Sequence, residues 1–442
     1  MNNAEQTART KIAKDTLISD KDRRKALFGS AVGSTIEWYD YFLYGTMSAT
    51  VFGHMFFPSE DPVVSQLLAL TSFALAFLIR PIGGVFFSHI GDKIGRKKTL
   101  AITLSLMGSS TVAMGLLPTY ESIGVLAPIL LTILRLLQGV ALGGEWGGGV
   151  LLAVEYSPPK RRGFFGAVPQ TGAMLGLALG NAITSLLSYV FSEQTFLDYG
   201  WRIPFILSIV LVVIGMWIRN SIDETPSFKR VLAANKTNRI PLFDTFKTHK
   251  REVLVAIGAK VVETSTFFLY ATFTISYLVG LGYERTTVLS IVLVSSVFAF
   301  PMMLVFGALS DRVGRKNVFV GGTVALILWA YPYFWLLNQG SLGCIFWAIF
   351  VGLAIIWPTY GAMIGTVLAE AFPADIRYTG MSLGYQLGAA IVGGPMPLIA
   401  TALLALYGGS YIPIVIFLIG CGMISLLSMA FTKDRTGADL DD

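Results

Sequence analysis

The sequence predicts an all-α membrane protein, about twelve transmembrane helices folded as two pseudo-symmetric six-helix bundles. Three observations carry that expectation. The first is composition: of 442 residues, 54% are hydrophobic and 14% charged, and the mean hydropathy is +0.66. The second is run length. A helix needs about 20 mainly apolar residues to cross roughly 30 Å of hydrocarbon. The apolar runs here reach that length, lack two-residue alternation and are about three times as long as a membrane barrel strand. The third is duplication. GDKIGRKK at Gly91 to Lys98 recurs as SDRVGRKN at Ser310 to Asn317, which sets Asp92 and Asp311 219 positions apart, about half the chain. Glu155 in VEYSPPKRRG and Glu370 in AEAFPADIRYTG lie 215 positions apart, each followed by Pro (Pro158, Pro373), Arg (Arg162, Arg377) and Gly. Duplicated membrane halves related by an axis along the membrane normal place a substrate site near the midplane between them.

The expected spans follow in order. Residues 26–52 carry Glu37 and Asp40 within EWYDYFLYG. Residues 63–90 hold Arg80 in FLIRPIGG and end at the first basic loop, from which residues 99–118 return. The run 123–156 contains RLLQG at Arg135 to Gly139 and GGEWGGG at Gly143 to Gly149 and is long enough to tilt or to extend past the membrane. Residues 163–191 start after the cluster Pro158 to Arg162, and residues 200–219 open on GWRIPF. A polar stretch from Ser221 to Arg251 separates the halves. Beyond it, residues 252–281 carry Lys260 and Glu263, residues 287–309 end at the second basic loop, and residues 317–337 leave it. Residues 342–371 end at Glu370, residues 378–406 continue RYTGMSLGYQLGAAIVGG, and residues 409–431 close the set. The expected organisation is a tail at 1–25, a bundle at 26–220, a linker at 221–250, a second bundle at 251–432 and a tail at 433–442.

The net charge of +6 is a topology signal and not a nucleic-acid footprint. Lys and Arg gather before the first span (Lys21, Arg23, Arg24, Lys25), in the second-to-third loop (Lys93, Arg96, Lys97, Lys98), in the fourth-to-fifth (Lys160, Arg161, Arg162), in the central stretch, at Arg312, Arg315 and Lys316, and at Lys433 and Arg435. The opposite loops hold chiefly Arg202 and Arg285. By the positive-inside rule both termini and the linker face the cytoplasm, so a multi-pass protein of the cytoplasmic membrane is expected. The first apolar run is too long for a signal-peptide core and is expected to stay as the first helix. Cys344 and Cys421 fall within apolar runs, and His54, His89 and His249 have no metal-ligand spacing, so neither a disulfide framework nor a metal or other cofactor is expected. No nucleotide-binding loop or nucleophile elbow is present, which sets aside ATP-driven transport and enzyme activity.

The repeated loops have a physical rationale. Gly91, Gly95 and Gly314 suit tight turns between antiparallel helices, while Asp92 and Asp311 are placed to cap or to pair with Arg96 and Arg315. Such a cluster favours one packing of neighbouring helices and breaks in another; a plain charged loop is the alternative. These loops, RLLQG and the Glu/Pro/Arg/Gly motif closing the fourth span of each half resemble the major facilitator superfamily. EWYDYFLYG, FLIRPIGG, GGEWGGG, GWRIPF and ETPSF at Glu224 to Phe228 resemble, more narrowly, its metabolite:proton symporter family. RLLQGVALGGEWGG and RYTGMSLGYQLGAAIVGG are similar to the shikimate-carrier branch. The resemblance implies a transporter of organic acids such as shikimate, 2-oxoglutarate and citrate, or of zwitterions such as proline and betaine. It also implies that osmolyte carriers often bear a long acidic carboxy-terminal tail, whereas this chain stops soon after its last span.

Charges inside apolar spans cost on the order of 3 kcal/mol each at a helix centre, so they are candidate functional residues. Glu37 and Asp40 share one face of the first span; Arg80 lies in the second, Arg135, Gln138 and Glu145 in the fourth, and Lys260 and Glu263 in the seventh. A static network of buried ion pairs is the alternative. Setting Tyr41 to Thr46 on Phe267 to Thr272 pairs Glu37 with Glu263 and Asp40 with Thr266, an offset of 226. Asp40 is therefore an acid present in one half alone, as a coupling site requires. Burial favours the protonated form of an acid and a nearby guanidinium favours the carboxylate, so movement of Arg135 relative to Asp40 would load and release a proton. The resemblance implies the same pair; should the coupling role lie elsewhere, Glu37 on the same helix face is the next candidate.

For substrate, Arg80, Arg135 or Lys260 can meet a carboxylate. Tyr44, Gln138, Trp146, Gln170, Tyr270, Trp357, Tyr360, Tyr385 and Gln386 supply hydroxyl, amide and aromatic surfaces, with packing or lipid contact as the alternative for each. In GGEWGGG the glycines permit close helix approach while Glu145 and Trp146 border the cavity. The leading expectation is a monomeric proton-coupled carrier of a small organic acid, surrounded by lipid. A zwitterion carrier and an exporter are the alternatives, with a receptor-like membrane protein outside them.

Overall fold

The computed structural model describes residues 20–94, 96–143, 146–155, 157–220, 248–372 and 377–437. Most of both expected tails and of the linker 221–250 lies outside them. Each expected span coincides with a long helix among the described residues, and no strand occurs there. In the first half these are α1 (Asp20–Thr50), α2 (Pro62–Ile94), α3 (Arg96–Leu116), α4 (Leu126–Gly143, continued by Trp146–Glu155), α5 (Arg162–Val190) and α6 (Arg202–Asn220). In the second half they are α7 (Lys250–Gly280), α8 (Arg285–Val313), α9 (Arg315–Leu337), α10 (Leu342–Ala371), α11 (Arg377–Gly388, continued by Met396–Leu406) and α12 (Ile412–Ala430).

Among the described residues nine helices are long and apolar enough to cross a membrane, and ten if the pair Glu193–Gly200 and Arg202–Ile218, bent by 47°, is one span. α3 contributes the shorter apolar stretch Ala101–Leu116 among the described residues. α1 falls short for an informative reason. Every residue from 36 to 49 is buried, so this helix touches protein on all sides and does not need an apolar surface. Its repeat partner α7 behaves alike: 83% of its most apolar stretch is buried, against 39–56% in the other eight spans. The two interior helices are thus the ones that carry Glu37, Asp40, Lys260 and Glu263, shielded from lipid.

Small residues set the helix spacing. A Cβ on Gly143 would sit 2.1 Å from the Arg80 carbonyl oxygen, and one on Gly83 2.1 Å from that of Val140, so the glycines of FLIRPIGG and GGEWGGG press α2 against α4. The halves meet along α5 and α8, where Gly163 and Ala167 face Gly307 and the Ser185 and Ser290 hydroxyls lie 3.2 Å apart. π-turns interrupt three helices of the second half, at Leu269–Phe273, Phe350–Ile356 and Ala389–Gly393. Such turns concentrate at functional sites because the extra residue re-aims the side chains around it. Here they lie next to Phe267, Trp357 and Tyr385, which meet at the centre of the molecule.

Candidate functional site

At that centre α1, α5, α7, α10 and α11 enclose a cavity of about 10 Å³ lined by Trp38, Gln170, Ala173, Glu263, Phe267, Trp357 and Tyr385. This is near the space one water occupies. Lys260 pairs with Glu263 one helical turn away, and its ammonium stands 3.6 Å from the centre of the Tyr385 ring. Gly388 of α11 makes that position possible, since a Cβ there would come within 2.7 Å of the Lys260 stem. Trp146 stacks on Tyr385 with ring centres 3.4 Å apart and donates to the Gln170 side-chain oxygen at 3.2 Å. Trp357 donates to the Glu263 carbonyl oxygen at 2.8 Å, which fixes the indole against α7. Arg80 stands 6.0 Å from the ring centre of Trp38, a wall of the cavity, and Glu37 is buried on α1 beside that tryptophan. Of the two acids that the repeat matches, Glu263 lines the cavity, and Glu37 is buried on α1 in the opposite half.

A second cluster lies beside the first. Asp40 is fully buried, and its Oδ2 accepts from the Thr111 hydroxyl at 3.1 Å. The same Thr111 oxygen accepts from Gln138 Nε2 at 2.8 Å, and Gln138 Oε1 accepts from Arg135 Nη1. Asp40 and Arg135 are therefore joined through Thr111 and Gln138. Thr111 suits both protonation states. Its single proton can go to Asp40 or to the Met107 carbonyl oxygen, 3.0 Å away, and in the latter case it is free to accept from a protonated Asp40. Asp40 Oδ1 and Arg135 Nε and Nη2 have no hydrogen-bond partner among the described residues, so both groups keep capacity for a direct pair. Meanwhile the Arg135 guanidinium rests 4.3 Å from the Tyr41 ring centre, 4.2 Å from that of Tyr44 and 5.1 Å from that of Phe73.

Ion pairs bridge the halves at both ends. At the basic end, Glu370 lies 3.0 Å from Arg162 of the first half and 3.1 Å from Arg315 of the second, and Arg315 reaches Asp311 at 3.3 Å. Asp311 does more than pair locally: its two oxygens accept from the Gly163 and Phe164 amides at 2.7 and 3.0 Å. A carboxylate from one half thus caps the first turn of a helix in the other. Gly314, at φ +96°, supplies the turn behind it. At the opposite end Arg285 bridges to Glu193 across the halves at 3.3 Å, while Arg202 donates to the Gly115 and Leu117 carbonyls that end α3. Asp311→Asn is expected to loosen the basic end, speeding labelling of cysteines placed along α5 there and changing transport rate more than binding affinity. Unchanged labelling would count against an interlocking role.

The remaining sequence candidates sit apart from the cavity wall. Tyr44 hydrogen-bonds Ser72 at 2.7 Å beside Arg135. Tyr360 meets Thr266 at 3.0 Å, and Tyr270 packs on Tyr333 with ring centres 5.0 Å apart. Gln386 donates across to the Gly143 carbonyl at 3.3 Å, and Arg377 Nε donates to that of Phe372 at 3.2 Å. Gly95 and Glu145, and the surroundings of Gly91, Asp92, Arg96 and Glu155, lie outside the described residues. Sequence reasoning did not select Trp38, Thr111, Ala173 or Phe267. Phe267 had a signal, because the repeat sets it on Tyr41; Thr111 had none.

Comparison with known proteins agrees with this architecture. The profile of the Major Facilitator Superfamily matches residues 28–395. An inner membrane metabolite transport protein of Escherichia coli (strain K12), YhjE, is 39% identical over 392 residues, 87% of this chain and 89% of that protein. A shikimate transporter of the same organism is 36% identical over 429 residues, 96% and 97%. A glycine betaine/proline/ectoine/pipecolic acid transporter of Dickeya dadantii (strain 3937), OusA, is also 36% identical, over 438 residues, 96% and 86%. The solved proton:xylose symporter XylE, bound to 6-bromo-6-deoxy-D-glucose, shares the fold with a TM-score of 0.76 over 96% of this chain and 98% of that one, at 15% identity. With its paired interior helices and the charged chamber between them, this chain belongs to the major facilitator superfamily and is a multi-pass transporter of the bacterial inner membrane.

Proposed function

We propose that the protein is a proton-coupled symporter of small organic acids, in which Asp40 carries the proton and Lys260 and Arg80 receive the carboxylate. The observation that carries this reading is the unduplicated, fully buried Asp40, linked through Thr111 and Gln138 to an arginine that retains unused donors. With Asp40 neutral, Arg135 rests on its aromatic bed. When the proton leaves, the carboxylate draws Arg135 or its relay toward α1, and α1 shifts against α4. The cluster at Glu370 and Asp311 and the bridge at Arg285 open in alternation, so the bundles 26–220 and 251–432 rock about the α5–α8 contact. The working unit in this reading is a monomer in lipid.

Two cations next to the chamber walls, Lys260 at Tyr385 and Arg80 at Trp38, favour an anion, and one relative carries shikimate by name. The presence of Glu37 and Glu263 beside them supports a second reading, a zwitterion such as proline or betaine, which the named osmolyte relative transports. A panel of labelled shikimate, 2-oxoglutarate, citrate, proline and betaine, offered to proteoliposomes under an inward proton gradient, separates the two. Accumulation of a carboxylate, faster at lower outside pH and abolished by a protonophore, is expected. Accumulation of betaine alone, or equal driving by sodium at fixed pH, would overturn the proposal.

A further inference from the structure

We infer that the Tyr41 ring couples the charge of the substrate to the proton on Asp40: Arg80 and Arg135 share this ring, and an anion that draws Arg80 off it leaves Arg135 seated there and away from Asp40. This rests on the proposed role of Asp40. The guanidinium carbons of Arg80 and Arg135 lie 4.5 and 4.3 Å from the Tyr41 ring centre. The ring is fully buried, and both guanidinium groups stand within cation–π range of it. Arg80 also stands 6.0 Å from the ring of Trp38, a wall of the cavity. Arg80 therefore stands behind the Trp38 wall of the chamber, Arg135 belongs to the relay, and Tyr41 is where they meet.

Two cations drawn to one buried ring each weaken the other's attraction to its π electrons and repel each other. With the chamber empty, Arg80 holds part of the ring, and Arg135 is freer to turn its unpartnered Nη2 toward Asp40 Oδ1 and favour release of the proton. With an anion present, Arg80 turns to the anion, Arg135 settles on Tyr41, and Asp40 retains its proton. Anion and proton then bind best together, and the linkage is reciprocal. The groups that face Asp40 are Thr111 from α3, Arg135 and Gln138 from α4, Ser208 from α6, and Tyr39 beside it on α1. Arg135 is the one cation of that set among the described residues, so its seat decides the outcome.

The test mixes purified native protein, Tyr41→Phe and Tyr41→Leu with shikimate, 2-oxoglutarate and citrate in weakly buffered solution. A pH dye reads proton uptake, and binding affinity is measured in parallel from neutral to mildly acidic pH. Native protein and Tyr41→Phe, which keeps the ring, should bind protons with the anion and gain at least about fivefold in affinity on acidification. Tyr41→Leu should bind the anion with an affinity that stays within about twofold across that range, and with little proton uptake. Tyr41→Met, which keeps bulk without a π face, is run beside it as a second folded reporter. Native-like proton uptake in either aliphatic variant, or loss of it in Tyr41→Phe, overturns the role of Tyr41. Native protein that takes up no proton with any of the three acids instead overturns the proposed function itself.

Discussion

Asp40→Asn is expected to abolish gradient-driven accumulation while leaving exchange of substrate across the membrane measurable. Asn keeps the shape of the protonated acid and can still meet Thr111, so the chamber and both closures remain intact. What disappears is the charge that appears when the proton leaves, and with it the pull on Arg135. A tenfold proton gradient is worth about 1.4 kcal/mol, enough for about tenfold accumulation of a solute that moves with one proton. The variant should instead equilibrate its substrate and stop. Arg135→Ala should harm both activities, because it leaves Gln138 Oε1 and the aromatic bed without their cation and costs about 1–3 kcal/mol for each buried polar group left unpaired. Uphill accumulation by Asp40→Asn would move the coupling role elsewhere, with Glu37 next in line.

Lys260→Gln is expected to raise the apparent KM for the transported acid by about tenfold or more, since a charge-assisted hydrogen bond contributes about 1.5–3 kcal/mol. The ion pair with Glu263 offers a rival explanation, in which the pair only fixes α7. The double variant Lys260→Gln with Glu263→Gln separates them. If the pair is structural, neutralising both members restores affinity, because no buried charge is left alone. If Lys260 holds the carboxylate, the double variant stays as weak as the single. Normal binding of the acid by Lys260→Gln would advance the zwitterion reading.

Much of this architecture was legible in the sequence, and the physics explains which parts. Helix positions follow from the length of apolar runs, a constraint the bilayer imposes on each segment separately. The pairing of Glu37 with Glu263 could be read because the repeat converts sequence offset into spatial symmetry. Asp311 with Arg315 was legible too, as neighbours four apart on one helix. That Asp311 also caps α5 in the other half was not, because an amide at a helix start carries no signature of the carboxylate that will reach it. Thr111 was hidden for a related reason. A threonine in a membrane helix commonly bonds its own backbone, as Thr111 does with Met107, and only the packing of α3 against α1 and α4 gives it Asp40 and Gln138. The direct meeting of Asp40 with Arg135 was expected, whereas the described structure joins them through two intermediates, consistent with one stage of a cycle in which the direct pair forms at another.

The most direct test of proton coupling reverses it. Proteoliposomes with no imposed proton gradient are given an inward gradient of the acid that the native protein accumulates, and the pH of the weakly buffered outside medium is followed. Native protein should alkalinise the medium in step with entry of the acid, and Asp40→Asn should admit the acid with no pH change beyond that of empty vesicles. Entry through native protein without proton movement, or proton movement undiminished in Asp40→Asn, would contradict the account.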